Sequence, residues 1–132
     1  MSAVQGKRVF LSGPITGLPD GNRAAFEEAE LAIRKAGAVH VYNPRRALEH
    51  GGAAGQPHSW FMLRTLGELT SPKSTRNGIG SFYDMAVMLD GWRASEGASL
   101  EHEVARACGI PVRELRELVT PPPLEVSADG KA

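Results

Sequence analysis

A chain of 132 residues with fifteen basic and fifteen acidic side chains has room for one compact core and no surplus cation for gripping duplex nucleic acid. Its 42% apolar and 23% charged residues fall in the globular range and exclude a disordered chain. The single Cys108 excludes an intrachain disulfide and a thiolate pair for zinc, and the N-terminal residues show neither a signal-peptide core nor a membrane span, so a cytoplasmic setting is expected.

Arg8-Val9-Phe10-Leu11 is a short apolar run stopped by Ser12-Gly13-Pro14, and its length and boundary predict a buried strand. A loop from Ile15 to Gly21 follows. Ala25, Phe26, Ala29, Ile33 and Ala36 then recur at helical spacing, with Asn22 placed to cap that helix and Gly37 to end it. Val39-His40-Val41-Tyr42 predicts a second strand, stopped by Asn43-Pro44 because proline restricts its predecessor and donates no ladder hydrogen bond. Residues 50–58 are too irregular for an element, and Ser59 is the expected N-cap of a helix carrying Trp60, Leu63, Leu66 and Leu69.

Thr70 to Gly80 reads as a polar loop containing Lys73 and Arg76. Phe82 to Leu89, apolar apart from Asp84, predicts a central strand covered on both faces and ending at Asp90-Gly91. Ala98 to Cys108 predicts a helix with Leu100, Val104, Ala107 and Cys108 inward, closed by Gly109, before a strand start at Ile110-Pro111-Val112. Arg113 to Val119 is compatible with helix or strand. Residues 121–132 hold too little apolar surface to offset chain entropy and are expected to be a flexible tail.

Strands alternating with helices imply an α/β fold: one three-layer, Rossmann-like domain over residues 1–120, with a parallel sheet of about four or five strands. Ligands of such sheets bind beyond the carboxyl ends of the strands, which ranks the polar residues. Ser12-Gly13-Pro14 either presents backbone N–H groups to a ligand or is only a turn. Ser95-Glu96-Gly97-Ala98-Ser99-Leu100-Glu101 leads into a helix N-terminus, whose free donors and partial positive charge favour a phosphate and keep a nearby carboxylate ionised. The plainer alternative is that Ser95 or Ser99 caps the helix and Glu101 or Glu103 complements its dipole.

Six strand steps separate Asp84 from Asp90, about 20 Å, so only Asp90 reaches the ligand end, either to touch substrate or to turn with Gly91; Asp84 is expected to cap a backbone group. Trp60 and Trp92 offer rings for a base or for packing, Trp92 being better placed, and His102 and Glu103 read as solvated surface. His40, His50, His58 and His102 lack metal-ligand spacing, so neither metal nor cofactor is expected.

Several of these segments form an ordered set: Val9 through Pro19, Asn22-Arg23, Phe26, Asn43-Pro44, Leu89-x-Gly91-Trp92, Ser95-x-Gly97-Ala98-x-x-Glu101, Ala105 and Gly109. Over about residues 8 to 112 this set resembles the small DUF4406 proteins, frequent in phages and prophages, of the nucleoside 2-deoxyribosyltransferase-like superfamily. The resemblance implies a flavodoxin-like domain that cleaves or transfers the N-glycosidic bond of a (deoxy)nucleoside or nucleotide, with Glu101 as nucleophile. Relatives acting on nucleosides carry Asp six residues before that Glu and monophosphate hydrolases carry Ser, so Ser95 implies a phosphate-bearing substrate. Ser95, Gly97 and the helix N-terminus would then hold the phosphate and Ser12 and Gly13 shape the sugar-base pocket, with Pro14, Gly91, Trp92 and Ala98 also expected to bind substrate.

Two positions depart from the superfamily pattern. Thr65 stands where a helical Asp is usual, leaving Asp90 or Glu68 to protonate the leaving base, and Phe10 replaces a common aromatic hydroxyl. The resemblance also implies a homodimer or higher homo-oligomer. The alternatives are a nucleotide-binding module without turnover and, from Gly97-Ala98-x-x-Glu101, a likeness to cytokinin-activating phosphoribohydrolases weakened by the missing paired glycines.

Overall fold

In the computed structural model, whose described residues are 2–48 and 55–119, the chain forms a three-layer α/β sandwich. Strands β1 (Arg8–Ser12), β2 (His40–Tyr42), β5 (Met85–Met88) and β6 (Val112–Glu114) make one parallel sheet in the order β2-β1-β5-β6. The period-2 alternation of the strands sets its two faces. Val9 and Leu11 of β1 and Met85 and Val87 of β5 turn toward Phe26, Ala29 and Ile33 of helix α1 (Arg23–Lys35). Phe10 and Ala86 turn the other way, toward Leu69 of α3 (His58–Leu69) and Ala105 of α4 (Glu96–Ala107). The undecided segment Arg113 to Val119 divides between β6 and a short helix α5 (Leu115–Leu118), whose leucines pack on the α1 side.

From β1 the chain crosses through α1 to β2 on one side, then returns to place β5 on the other. The gap between the C-terminal ends of β1 and β5 is therefore the topological switch point, where connecting segments diverge and leave a crevice. Gly13 is held at that gap by close approach: a methyl group there would lie 2.7 Å from Leu89 Cβ. Gly91, just past β5, has φ of 85°, a left-handed backbone that favours glycine.

Four local expectations are corrected. Thr70 to Gly80 is not a loop but most of an antiparallel hairpin, β3 (Pro72–Thr75) with β4 (Gly78–Ser81), largely solvent-exposed. Its strands bury no apolar stripe, so alternation gave no sign of it, and the informative residues were Asn77-Gly78 at the turn. The apolar run Phe82 to Leu89 is strand only over Met85–Met88, with Asp84 N and Leu89 N still donating to Arg8 O and Ser12 O at its ends, and Asp84 Oδ2 accepts from Arg8 N at 2.9 Å, the backbone-capping role expected of it. Helix α3 starts at His58 after Pro57, one residue before the predicted cap Ser59, and Leu63 is exposed because its inward face carries Thr65 and Leu69. Helix α4 buries Ala98, Glu101 and Ala105, while Leu100 and Cys108 are exposed. Two small alanines at i and i+7 let α4 approach the sheet closely and carry the carboxylate between them inward.

Asn22 does occupy the N-cap position of α1 but makes no side-chain cap bond; its Nδ2 donates to Pro14 O at 3.0 Å. The expected tail, 121–132, lies outside the described residues, as does most of the irregular stretch 50–58. Among the described residues no helix is long and apolar enough to cross a membrane.

One buried polar cluster ties α1 to the end of β2. Glu30 accepts from Arg34 Nε at 2.8 Å and from Asn43 Nδ2 at 3.1 Å, while Asn43 Oδ1 accepts from Arg45 N and caps α2 (Pro44–Ala47). Burial raises the Glu30 pKa, but these two hydrogen bonds and the charges of Arg34 and Arg46 outweigh it and the net direction is down. Asn43→Ala removes a cap and strands a buried carboxylate oxygen, so we expect a loss of about 2 kcal/mol in denaturant unfolding at neutral pH. A lowered carboxyl pKa contributes stability that disappears as pH falls through it, so the difference from wild type should narrow once the pH drops below 4.5.

Candidate functional site

A cleft of about 1380 Å³ opens over the switch point. Its floor is Gly13, Pro14 and the Leu89-Asp90-Gly91 turn; α1 and α2 form one wall, and α3 with the start of α4 forms the other. The volume exceeds the usual range of small-molecule sites, roughly 300 to 1,000 Å³, so it can hold a ligand of nucleotide size.

Glu101 is 9% exposed and lines this cleft. Ser12, at the last position of β1 and 1% exposed, donates its hydroxyl to Glu101 Oε1 at 2.5 Å. Strand alternation explains the contact: Ser12 shares the face of Phe10, toward α4. Thr65, 5% exposed, lines the cleft from α3. Among the described residues its Oγ1 has no partner of hydrogen-bonding geometry, yet it lies near enough to favour the ionised form of Glu101. Burial raises the Glu101 pKa above 4.5; the Ser12 and Thr65 hydroxyls and the charge of His58 oppose it without cancelling it. The helix N-terminus is expected to favour the ionised form; desolvation acts against it and prevails over the donors around the group, so the net direction is up.

The other predicted residues divide between the cleft and its surroundings. Gly13, Pro14, Asp90, Gly91, Ser95, Gly97 and Ala98 line it with Glu101. Ser95 Oγ accepts from Ala98 N at 3.2 Å, so its hydroxyl is the helix cap of the plainer reading. Asp90 stands at the exposed rim, 3.2 Å from Arg116 Nη2. Glu68 is outside the cleft lining, where its carboxylate accepts from the Tyr83 hydroxyl in a cluster with His40. Trp92 is also outside: it is buried, stacks on His102 with centroids 4.4 Å apart, and has Arg93 over its ring. That stack removes His102 from the solvated surface where the sequence placed it. Ser12 sits beneath the cleft and acts through Glu101.

Three cleft residues were not singled out for a role by the sequence. Thr65 was discounted as no carboxylate. His58, read only for metal spacing, opens α3 with Nε2 4.0 Å from Glu96 Oε1. Arg45 lines the opposite wall. The signal for Arg45 was its position just past the C-terminal end of β2, the edge where ligands of parallel sheets bind. Among the described residues no three His, Cys, Asp or Glu side chains are grouped to hold a metal ion.

A family model described as a domain of unknown function, DUF4406, matches residues 7–70 and 73–114, a span that takes in both walls of the cleft. A comparison with curated proteins finds no match.

A buried carboxyl whose pKa is raised binds its proton more readily folded than unfolded, so its ionisation costs stability once the pH exceeds the folded pKa. Glu101→Gln keeps an acceptor for Ser12 and removes that cost. We expect its thermal midpoint to exceed that of wild type at pH 7, with the difference shrinking as the pH is lowered to 4.5; an equal or lower midpoint at pH 7 contradicts the account.

Proposed function

The chain belongs to the DUF4406 family, and from that footing we propose that it cleaves or transfers the N-glycosidic bond of a (deoxy)nucleoside or its 5′-monophosphate. The observation that carries the reading is a desolvated carboxylate, Glu101, lining a nucleotide-sized cleft at the switch point with one oxygen held by Ser12. The resemblance to the nucleoside 2-deoxyribosyltransferase-like superfamily supplies the chemistry in which such a group works.

Rupture of an N-glycosidic bond leaves positive charge on C1′ as the electron pair departs with the base. A carboxylate below C1′ stabilises that charge or closes on it to give a glycosyl ester. With Oε1 occupied by Ser12, Oε2 of Glu101 is the oxygen that bonds to C1′. The base takes a proton from an acid, for which Asp90 at the rim is the carboxylate in position; Glu68 is engaged elsewhere by Tyr83. Water then attacks C1′ and releases the sugar, or a second base does so and completes transfer; the attacking group gives its proton to the Asp90 carboxylate, and the electron pair of the ester bond returns to Glu101 as carboxylate. Desolvation aids the attack, since a carboxylate short of solvent has more to gain from a covalent bond.

A second reading is a nucleotide-binding module without turnover. It is favoured by Thr65 at the usual Asp position and by the diversion of Glu68, which leave the exposed Asp90 as the sole carboxylate of the three candidates beside the nucleophile. Incubation with a panel of ribo- and deoxyribonucleosides and their monophosphates, scored for free base, separates the two. We expect base release by wild type and its loss in Glu101→Gln, with the wild-type rate falling as the pH drops through a carboxyl pKa above 4.5. Thermal stabilisation by nucleotide without any free base would instead establish the binding module.

A further inference from the structure

Asp20, Gly21 and Asn22, leading into α1, have left-handed backbone in succession, with φ of 49°, 59° and 62°. Two of the three carry side chains, and strain of this kind persists only where the surroundings impose it. Asn22 is tied to Pro14 O, and Asp20 Oδ2 lies 3.4 Å from Arg23 Nε. The result of the turn is to lay the bare backbone of Gly21 on the guanidinium of Arg45. A methyl group at Gly21 would stand 3.0 Å from Arg45 Cζ and 3.2 Å from its Nε and Nη2.

Arg45 is thus held in place, yet among the described residues its guanidinium donates no hydrogen bond. Its Nε is buried with no partner, and among the described residues its guanidinium makes no ion pair, although the residue lines the cleft. The start of α4 has the opposite character. There the Ser95 Oγ accepts from Ala98 N, and Asp90, Glu96 and Glu101 all face the cleft from the same segment. An anion placed there meets three carboxylates, of which Asp90 is paired with Arg116, whereas one placed on Arg45, on the wall where Glu28 is the carboxylate in the lining, meets a planar fork of donors suited to bidentate contact with phosphate oxygens.

We infer that Arg45 is the anion-binding residue of the cleft and that it, rather than the N-terminus of α4, receives the phosphate of a sugar phosphate or nucleoside monophosphate. The inference deepens the N-glycosidic reading and rests on it for the identity of the ligand. The strained turn is the device that orients the fork before ligand arrives.

Calorimetric titration with 2-deoxyribose 5-phosphate, and in parallel with 2-deoxyribose, tests this without turnover. Wild type should bind the phosphorylated sugar tighter by roughly tenfold or more, the scale of a charge-assisted bidentate contact. Arg45→Met, checked for intact fold by circular dichroism, should lose that preference, and Arg45→Lys should keep part of it. Gly21→Ala, which drives a methyl into the guanidinium, should weaken binding of the phosphorylated sugar. An Arg45→Met protein that retains the preference, a wild type that has none, or a preference abolished by Ser95→Ala and untouched by Arg45→Met would each overturn the assignment. The readout is independent of Glu101: Arg45-dependent phosphate binding without base release upholds the subsite and rejects glycosidic chemistry. Base release that needs Glu101 but shows no Arg45-dependent phosphate preference does the reverse.

Discussion

The hydrogen bond from Ser12 to Glu101 joins residues 89 apart in the chain and is the contact on which the arrangement of the cleft depends. It fixes the end of β1 against the second turn of α4, and so sets the distance between the sheet and the helix that closes one wall. As a stabilising device it is a poor choice. Burying a carboxylate costs more than one neutral hydroxyl returns, and the raised pKa is the sign that the account stays unfavourable. A leucine at this position of α4 would satisfy packing more cheaply. The apolar clusters on the two faces of the sheet carry the fold, and they leave a margin from which one desolvated charge can be sustained.

The same margin explains why the polar residues gather where they do. Parallel strands end together, and the reversal of strand order between β1 and β5 leaves their C-terminal loops diverging. Backbone at that edge cannot continue the ladder, so its residues are free to serve a ligand. Gly13 shows how tightly the edge is built, since even a methyl group would collide with Leu89. The cleft is therefore closely packed at this point of its floor, and its chemistry is set by the helices that rise from it. Three acidic groups, Asp90, Glu96 and Glu101, come from the β5–α4 side, and the Arg45 guanidinium comes from the β2–α2 side, where α1 adds Glu28.

The sequence made the frame legible because the frame is made of buried, periodic segments. β1, α1, β2 and α4 were each announced by an apolar run or stripe and a glycine, proline or capping residue at its end. The hairpin was not, since β3 and β4 bury no apolar face and their residues follow no inward pattern. Nor was the inward face of α3, where Leu63 counted as core by type while Thr65 is what the cleft wall buries. Site residues divide along the same line. Glu101, Gly13 and Ser95 were legible because they follow strand ends in sequence. Arg45 follows the end of β2, but its orientation is owed to the turn at Gly21, and His58 owes its position to the close passage of α3 over Gly97, contacts between distant segments that no local pattern encodes. Glu68 and Trp92 failed for the converse reason. Each stands at a spacing that permits a cleft role, but Tyr83 takes the carboxylate and His102 takes the ring.

That second carboxylate gives the cleft its final asymmetry. Phe10 and Tyr42 are partners in the β1–β2 register and stack with centroids 5.0 Å apart, while Tyr83 meets Phe10 edge-on. This aromatic layer lies in the same cluster as the packed residues of α3 and α4. Burial, then the charges of Glu68 and Glu101, drives the Tyr42 pKa up, so its phenol stays protonated and senses both acids. Tyr83 is raised by burial and by its bond to Glu68, which fixes it as a donor. Glu68 thus has a tyrosine proton committed to it, and Glu101 has only hydroxyls from Ser12 and, less directly, Thr65. Two carboxylates on one face of the sheet are given opposite fates by their neighbours: one is quenched behind tyrosines, and the other is left desolvated at an opening where a ligand can relieve it.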